Sequence, residues 1–285
     1  MQFVTPLRYP GGKGRLAQCV ADLMRYNGLE GGQYVEGYAG GAGVALTLLQ
    51  LEYASHIHIN DLNPSIYAFW DAVLNDTDRL VARIRAKRIS MAEWRRQQAV
   101  QHASDADRLD LAYSTFFLNR TNRSGIILGG VIGGKNQDGP YTLEARFNKQ
   151  ELTKRIERIA SLRHRISLYN LDARDLIENV LPTISRRAFV YLDPPYYVKG
   201  RGLYQNHYLH DDHAVIAESV AGIRQPWIVS YDNVPQIRSL YARYRAITFG
   251  LKYSAQARYE GSEVMFFSNG LKVPSEITPS RAAAA

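Results

Sequence analysis

The sequence predicts an α/β fold, an open sheet covered by helices, and three observations predict it. The apolar run Ala188-Phe189-Val190-Tyr191-Leu192 reads as a strand buried on both faces, and it stops at Asp193-Pro194-Pro195-Tyr196. Tyr34-Val35-Glu36-Gly37-Tyr38-Ala39-Gly40-Gly41-Ala42-Gly43-Val44-Ala45-Leu46 runs from a short strand through a glycine turn into a helix. A further strand, Ile57-His58-Ile59, ends at Asn60-Asp61, about twenty residues after the glycines, as a nucleotide-type βαβ unit requires.

The strand end at Asp193 carries the most chemistry. Two consecutive prolines cannot extend a strand ladder, so the chain leaves the sheet there. In an open α/β sheet, ligands bind just beyond such ends. Proline stiffness fixes two acceptors, the Asp193 carboxylate and the Pro194 carbonyl, one residue apart. Together they can grip both hydrogens of an exocyclic amino group and keep electron density on its nitrogen. Tyr196 offers a flat face for a heteroaromatic ring. The plainer alternative is an ordinary Pro-Pro turn.

The glycine turn is the candidate cofactor site. It does not follow G-x-G-x-x-G, and Glu36 at its start would repel a pyrophosphate. S-adenosylmethionine fits better, because its adenosine and amino acid are joined without phosphate and its sulfonium is positive. Gly40 belongs to the turn, where glycine permits close backbone approach. Asp61 is placed to meet ribose hydroxyls. Leu7-Arg8-Tyr9-Pro10-Gly11-Gly12-Lys13-Gly14 adds an aromatic, Tyr9, and a lysine, Lys13, which can meet the methionyl carboxylate or the target base. The phosphate-loop frame G-x-x-x-x-G-K-[ST] is absent there, and a surface turn with a solvated lysine is the alternative.

Taken together, these segments resemble the Dam-like, D12 class of DNA adenine-N6 methyltransferases, from Leu7 to about Asn269. Arg8-Tyr9-Pro10-Gly11-Gly12-Lys13 is similar to the N-terminal cofactor motif of that class. Glu36 to Gly43 matches its glycine motif, with Gly37 where the family often has proline. Asp61 corresponds to its ribose-binding acid and Asp193 to the acid of its DPPY motif. Asn119-Arg120-Thr121-Asn122-Arg123-Ser124-Gly125 resembles the segment that opens its target-recognition region. The resemblance implies a Rossmann-like methyltransferase sheet with an inserted helical recognition domain, S-adenosylmethionine as cofactor, and methyl transfer to N6 of an adenine flipped from the duplex. In that architecture Asp172, at the end of the strand from Ile166, lies close to the cofactor's adenine. Zinc, the activator in base deaminases, has no role in such chemistry.

The implied organisation is a discontinuous catalytic domain, residues 1–75 and 165–270, an insertion over 76–164 and a tail over 271–285. The 285 residues carry a formal charge of +8, which suits a polyanionic partner. Between Thr115 and Arg165 ten basic residues face four acidic ones, so much of the excess lies in the insertion. Leu128 to Pro140 is a glycine-rich arm with polar tips. Arg120, Asn122, Arg123, Lys135 and Asn136 are candidates for DNA contact, as purine readers or as phosphate contacts. Lys199, a further candidate for DNA contact, begins a glycine-bearing stretch that reads as a lid over the flipped base. His207, His210 and His213 invite a metal reading, countered by a loop with no cysteine nearby, and no metal is expected. Asp211 or Asp212 caps a helix beginning near Ala214.

Arg245 to Tyr253 and Glu263 to Ser268 read as a closing antiparallel pair. Cys19 is the single cysteine, which suits a reducing cytoplasm. No secretory signal or spanning segment is visible. Double-stranded DNA is the expected partner, with a cognate restriction endonuclease as a further candidate. RNA adenine, a protein glutamine amide, and a catalytically silent DNA-binding relative are the competing readings. The departure from the Dam pattern after Asn119-Arg120 puts a GATC target in doubt.

Overall fold

Apolar runs and strand burial coincide. Seven strands, β1 (Gly32–Glu36), β2 (Ala54–Asn60), β3 (Ile166–Tyr169), β4 (Phe189–Leu192), β5 (Trp227–Asp232), β6 (Arg245–Tyr253) and β7 (Tyr259–Phe267), form one sheet in the order β3-β2-β1-β4-β5-β7-β6. Every residue of β4 and β5 is buried, as expected for central strands covered on both faces. The computed structural model describes residues 4–8, 16–198, 208–253 and 259–275. Tyr9, Lys13, Lys199 and His207 lie outside the described residues.

The chain divides into two units, Met1–Gly12 with Asn63–His164, and Lys13–Leu62 with Arg165–Ala285. The second holds the whole sheet. In it β1 pairs in parallel with β2 and β4, β2 with β3, and β4 with β5. The direction of winding reverses at β1, which makes the C-terminal edges of β1 and β4 the topological switch point of a Rossmann-like sheet. The predicted closing pair forms, with β7 inserted antiparallel between β5 and β6.

The helices that accompany this sheet are α1 (Leu16–Tyr26), α2 (Gly43–Gln50), the short α8 (Ala173–Asp175), α9 (His210–Ala221) and α10 (Pro235–Leu240). One apolar layer packs Leu176, Ile216, Val220 and Ile237 against Val35, Val190, Leu192 and Val229 of the strands. Two local expectations shift. The strand read as Ile166 to Asp172 ends at Tyr169, because the Asn60 side chain takes both the N–H and the carbonyl of Leu171 that a ladder would use. Helix α9 begins at His210 instead of near Ala214, since Asp212 accepts the Leu209 N–H at 2.7 Å from inside its first turn.

The other unit is helical: α3 (Pro64–Asn75), α4 (Thr77–Ala86), α5 (Met91–His102), α6 (Arg108–Thr121) and α7 (Lys149–Ser161). Side chains of Asn63, Ser90, Asp107 and Asn148 cap four of them. Phe69 stacks on Phe116, and Phe147 meets Phe116 and Phe117 edge-on or tilted, which forms the aromatic centre of this unit. Among the described residues no helix is long and apolar enough to cross a membrane.

Candidate active site

The glycine turn after β1 is shaped by two carboxylates. Glu36 is buried, and its Oε2 accepts the Ala45 N–H at 2.8 Å at the start of α2. A carboxylate there satisfies an orphan helix donor and meets the positive end of the helix dipole. Asp61, at the end of β2, accepts the Gly40 N–H through Oδ2 at 2.7 Å. Gly40 and Ala42 both adopt left-handed backbone, with φ of 46° and 47°. Gly37 is glycine for a packing reason: a Cβ would lie 2.4 Å from Cδ2 of Leu192.

Asn60, which the sequence reading passed over in favour of Asp61, ties three strand ends together. Its Nδ2 donates to the carbonyls of Gly37 and Leu171, each at 3.0 Å, and its Oδ1 accepts the Leu171 N–H at 2.9 Å. It is 1% exposed, so this network is internal scaffolding. Asp172 takes the Arg174 N–H at 2.9 Å and thereby caps α8.

Just beyond the neighbouring strand β4, Asp193 is partly exposed and its Oδ1 accepts the Ser230 hydroxyl at 2.8 Å. Ser230 has one proton, and it goes to the carboxylate. Tyr191, 2.9 Å from the same Oγ, is therefore the donor to Ser230. Burial and then the nearby Asp193 charge push the Tyr191 phenol well above its ordinary pKa, which keeps that proton in place. A relay Tyr191 to Ser230 to Asp193 thus fixes the carboxylate.

The chain beyond is clamped just as firmly. Asp232, at the end of β5, accepts the Tyr197 N–H at 2.9 Å through one oxygen and the Val198 N–H at 3.0 Å through the other. Pro194 is buried, and Tyr196 is 5% exposed with its hydroxyl donated to Oε1 of Glu263 on β7. The Tyr196 ring expected to face a base is thus packed inward in this structure.

An aromatic group lies beside these strands. Tyr38 and Tyr208 share a hydroxyl hydrogen bond at 3.1 Å, and the fully buried His213 packs against the rings of Tyr197, Tyr208 and Tyr231. Burial lowers the His213 pKa. Ser230, Asp232 and Glu263 were not singled out from sequence. The only available signal was a polar residue inside an otherwise apolar strand.

The strand ends here carry Glu36, Asp61, Asp172 and Asp193 and no lysine or arginine along residues 32–45, 54–62, 166–173 or 189–197. A set of strand ends charged in this way repels phosphates and tolerates a cation joined to a ribose. That donor set fits S-adenosylmethionine.

In the helical unit the recognition candidates separate. Asn122 is fully buried: its Oδ1 accepts the Trp94 indole N–H at 2.7 Å, and its Nδ2 donates to Ile126 and Ile127 carbonyls. It therefore shapes the loop and presents nothing to solvent. Arg123 is exposed, and its backbone N–H reaches Gly130, which folds the glycine-rich arm back on α6. Lys135 and Asn136 are exposed at the arm's tip, which Gln137 pins through Ile132, Gly134 and Leu143. Arg120 is half-buried with its Nε donating to the Arg146 carbonyl at 2.7 Å.

Residues 9–255 match the family described as D12 class N6 adenine-specific DNA methyltransferase. No curated protein matches the sequence. Among solved structures the chain is similar to the rRNA methyltransferase AviRa of Streptomyces viridochromogenes, with 15% identity over 91% of this chain and 86% of that one, at a TM-score of 0.38. It is also similar to a protein of Listeria monocytogenes described as a class I S-adenosylmethionine-dependent methyltransferase, with 11% identity over 92% of this chain and 62% of that one, at a TM-score of 0.41.

Proposed function

We propose, from the premise that this chain belongs to the D12 class N6 adenine-specific DNA methyltransferase family, that it methylates N6 of an adenine flipped out of double-stranded DNA. The observation that carries this reading is the Asp193 carboxylate, partly exposed at the switch point and oriented by Ser230. The sheet unit is the catalytic part in this reading, and the helical unit is the part that recognises DNA.

S-adenosylmethionine, when bound, supplies an electrophilic methyl group. The glycine turn and Asp61 would hold its ribose side, and Asp172 its adenine side. Asp193 and the Pro194 carbonyl accept the two N6 hydrogens of the target adenine. With both hydrogens held, the nitrogen lone pair is directed away from the ring plane and no strong base is needed to begin the reaction. Asp193 also stabilises the positive charge that develops on nitrogen as it gains a methyl group, and one N6 proton, acidic at that stage, then leaves to solvent. Flipping costs a few kcal/mol of stacking, which contacts to the extruded base must offset.

Incubation with methyl-labelled cofactor and duplex DNA of mixed sequence should place label on adenine N6. Asp193→Ala should abolish it, while the cofactor still binds. Label that appears only on RNA or on protein glutamine, in parallel arms, would overturn the DNA reading. Label on none of them, with tight DNA binding, would mean a silent relative.

A further inference from the structure

Four arginines from four chain segments gather in the helical unit. Arg8 lies in the N-terminal segment, Arg120 in the last turn of α6, Arg146 in the 3-10 turn Leu143–Arg146, and Arg155 in α7. Their assembly is built in. The side-chain amide of Asn119 accepts the Arg8 N–H at 2.7 Å and donates to the Arg8 carbonyl at 2.6 Å. Gly125, at φ 78°, lets that segment approach, since a Cβ there would stand 2.4 Å from the Arg8 carbonyl oxygen.

Each of three guanidiniums is then oriented by one carbonyl: Arg8 Nη1 donates to Asn122 at 3.0 Å, Arg120 Nε to Arg146 at 2.7 Å, and Arg155 Nη1 to Thr5 at 3.3 Å. These bonds use one donor of the five each guanidinium carries. Burial, followed by Arg8, Arg155 and Arg146, pushes the Arg120 pKa down to about 9, and burial followed by Arg146 lowers that of Arg8. Those shifts report burial first and then the like charges beside it. The carboxylate paired with the group is Glu151, 3.1 Å from Arg155 Nε, so three arginines are left without an ion-pair partner among the described residues.

Crowded, partly desolvated guanidiniums with unused in-plane donors are what a phosphodiester needs. Its two non-ester oxygens accept a bidentate fork, and its charge removes the mutual repulsion. We infer that Arg8, Arg120, Arg146 and Arg155 form a preorganised clamp for a backbone phosphate of the DNA substrate, setting the register of the helical unit on the duplex without reading a base. This rests on the DNA reading proposed above.

Arg146→Ala is the cleanest probe. The residue is exposed, and among the described residues its guanidinium makes no hydrogen bond within the chain, so the melting temperature should stay within about 2 °C of wild type. Duplex affinity measured by anisotropy from 50 to 200 mM salt should show a slope of log K against log salt shallower by about 0.9 for the loss of one phosphate contact, or a roughly 3.5-fold smaller loss of affinity across that range. Arg146→Lys should restore most of the slope. Arg79→Ala, which removes an equal charge from the exposed pair with Asp76, should leave it unchanged. Wild-type binding with an unaltered slope in Arg146→Ala would overturn the clamp and leave the DNA reading standing. Failure of the wild-type protein to retain duplex even at 50 mM salt would overturn both.

Discussion

Ser230, the fourth residue of β5, donates its hydroxyl to Asp193 at the end of β4 across 2.8 Å, and Tyr191 holds Ser230 from behind. Because β4 and β5 run parallel, with Leu192 opposite Val229, the contact is set by sheet register and not by a mobile loop. The carboxylate is therefore oriented before any substrate arrives. That is the arrangement expected where an enzyme gains rate from fixed geometry.

Ser230→Ala should keep the fold and lose part of the rate. A hydrogen bond to a charged acceptor contributes about 1.5–3 kcal/mol, so kcat should fall by roughly 10- to 100-fold. Cofactor affinity, measured by equilibrium titration, should be little changed, because the glycine turn is untouched. An unaltered kcat would mean that Ser230 does not set the orientation of Asp193.

Asp232 supports a second prediction. Its two oxygens take successive backbone amides, Tyr197 and Val198, so one side chain anchors the backbone of both residues. Asp232→Asn keeps the shape but leaves one acceptor for two donors. The variant should be destabilised by about 1–3 kcal/mol, seen as a lower denaturation midpoint with unchanged m-value. Its methyl transfer should also drop, since the Asp193-Pro194 turn is anchored from this side. Equal midpoints for the two proteins would show that the amides find other partners.

The contrast between strands and partners explains what was legible in the sequence. Ala188 to Leu192 announced a buried strand, and the prolines announced its end, because those signals are local. Ser230, Asp232 and Glu263 reach the same place from strands 37, 34 and 67 residues away from the groups they bond, and no local pattern encodes such a meeting. Asn122 shows the reverse case. Beside arginines in a basic stretch it read as a DNA contact, yet the indole of Trp94, 28 residues earlier, claims its oxygen in the core. Tyr196 read as a flat face for a heteroaromatic ring, and its bond to Glu263, 67 residues on, was not legible in any local pattern.

Gly37 gives a third test. Its N–H donates to the Tyr191 carbonyl at 3.0 Å, and its Cα faces the Leu192 side chain. Gly37→Pro, the residue common at this place in the family, would lose that hydrogen bond and press on Leu192. Gly37→Ala introduces only the crowding, and overpacking of this kind costs about 1–3 kcal/mol. Pairing Gly37→Ala with Leu192→Val should recover part of the loss, and a double-mutant cycle on denaturation midpoints measures it. Strict additivity would show that the two side chains do not meet.

The last prediction concerns acid stability and His58. Its ring is buried on β2, 3.1 Å from the Tyr169 hydroxyl through Nδ1, while Nε2 has no partner among the described residues. Burial first, and then the neighbouring His56, lower its pKa from 6.5 to about 4. The folded protein therefore holds His58 neutral where the unfolded chain binds a proton. Between those values the unfolded state carries more protons, so stability rises with pH. The contribution is fully present above pH 6.5 and is lost as pH falls toward 4. At about 1.4 kcal/mol for each pH unit of separation, it amounts to roughly 3.5 kcal/mol at most. Urea midpoints measured from pH 7.5 down to 4.5 should decline in the wild type, and His58→Gln should flatten part of that decline. A parallel decline in both proteins would place the acid sensitivity in other groups.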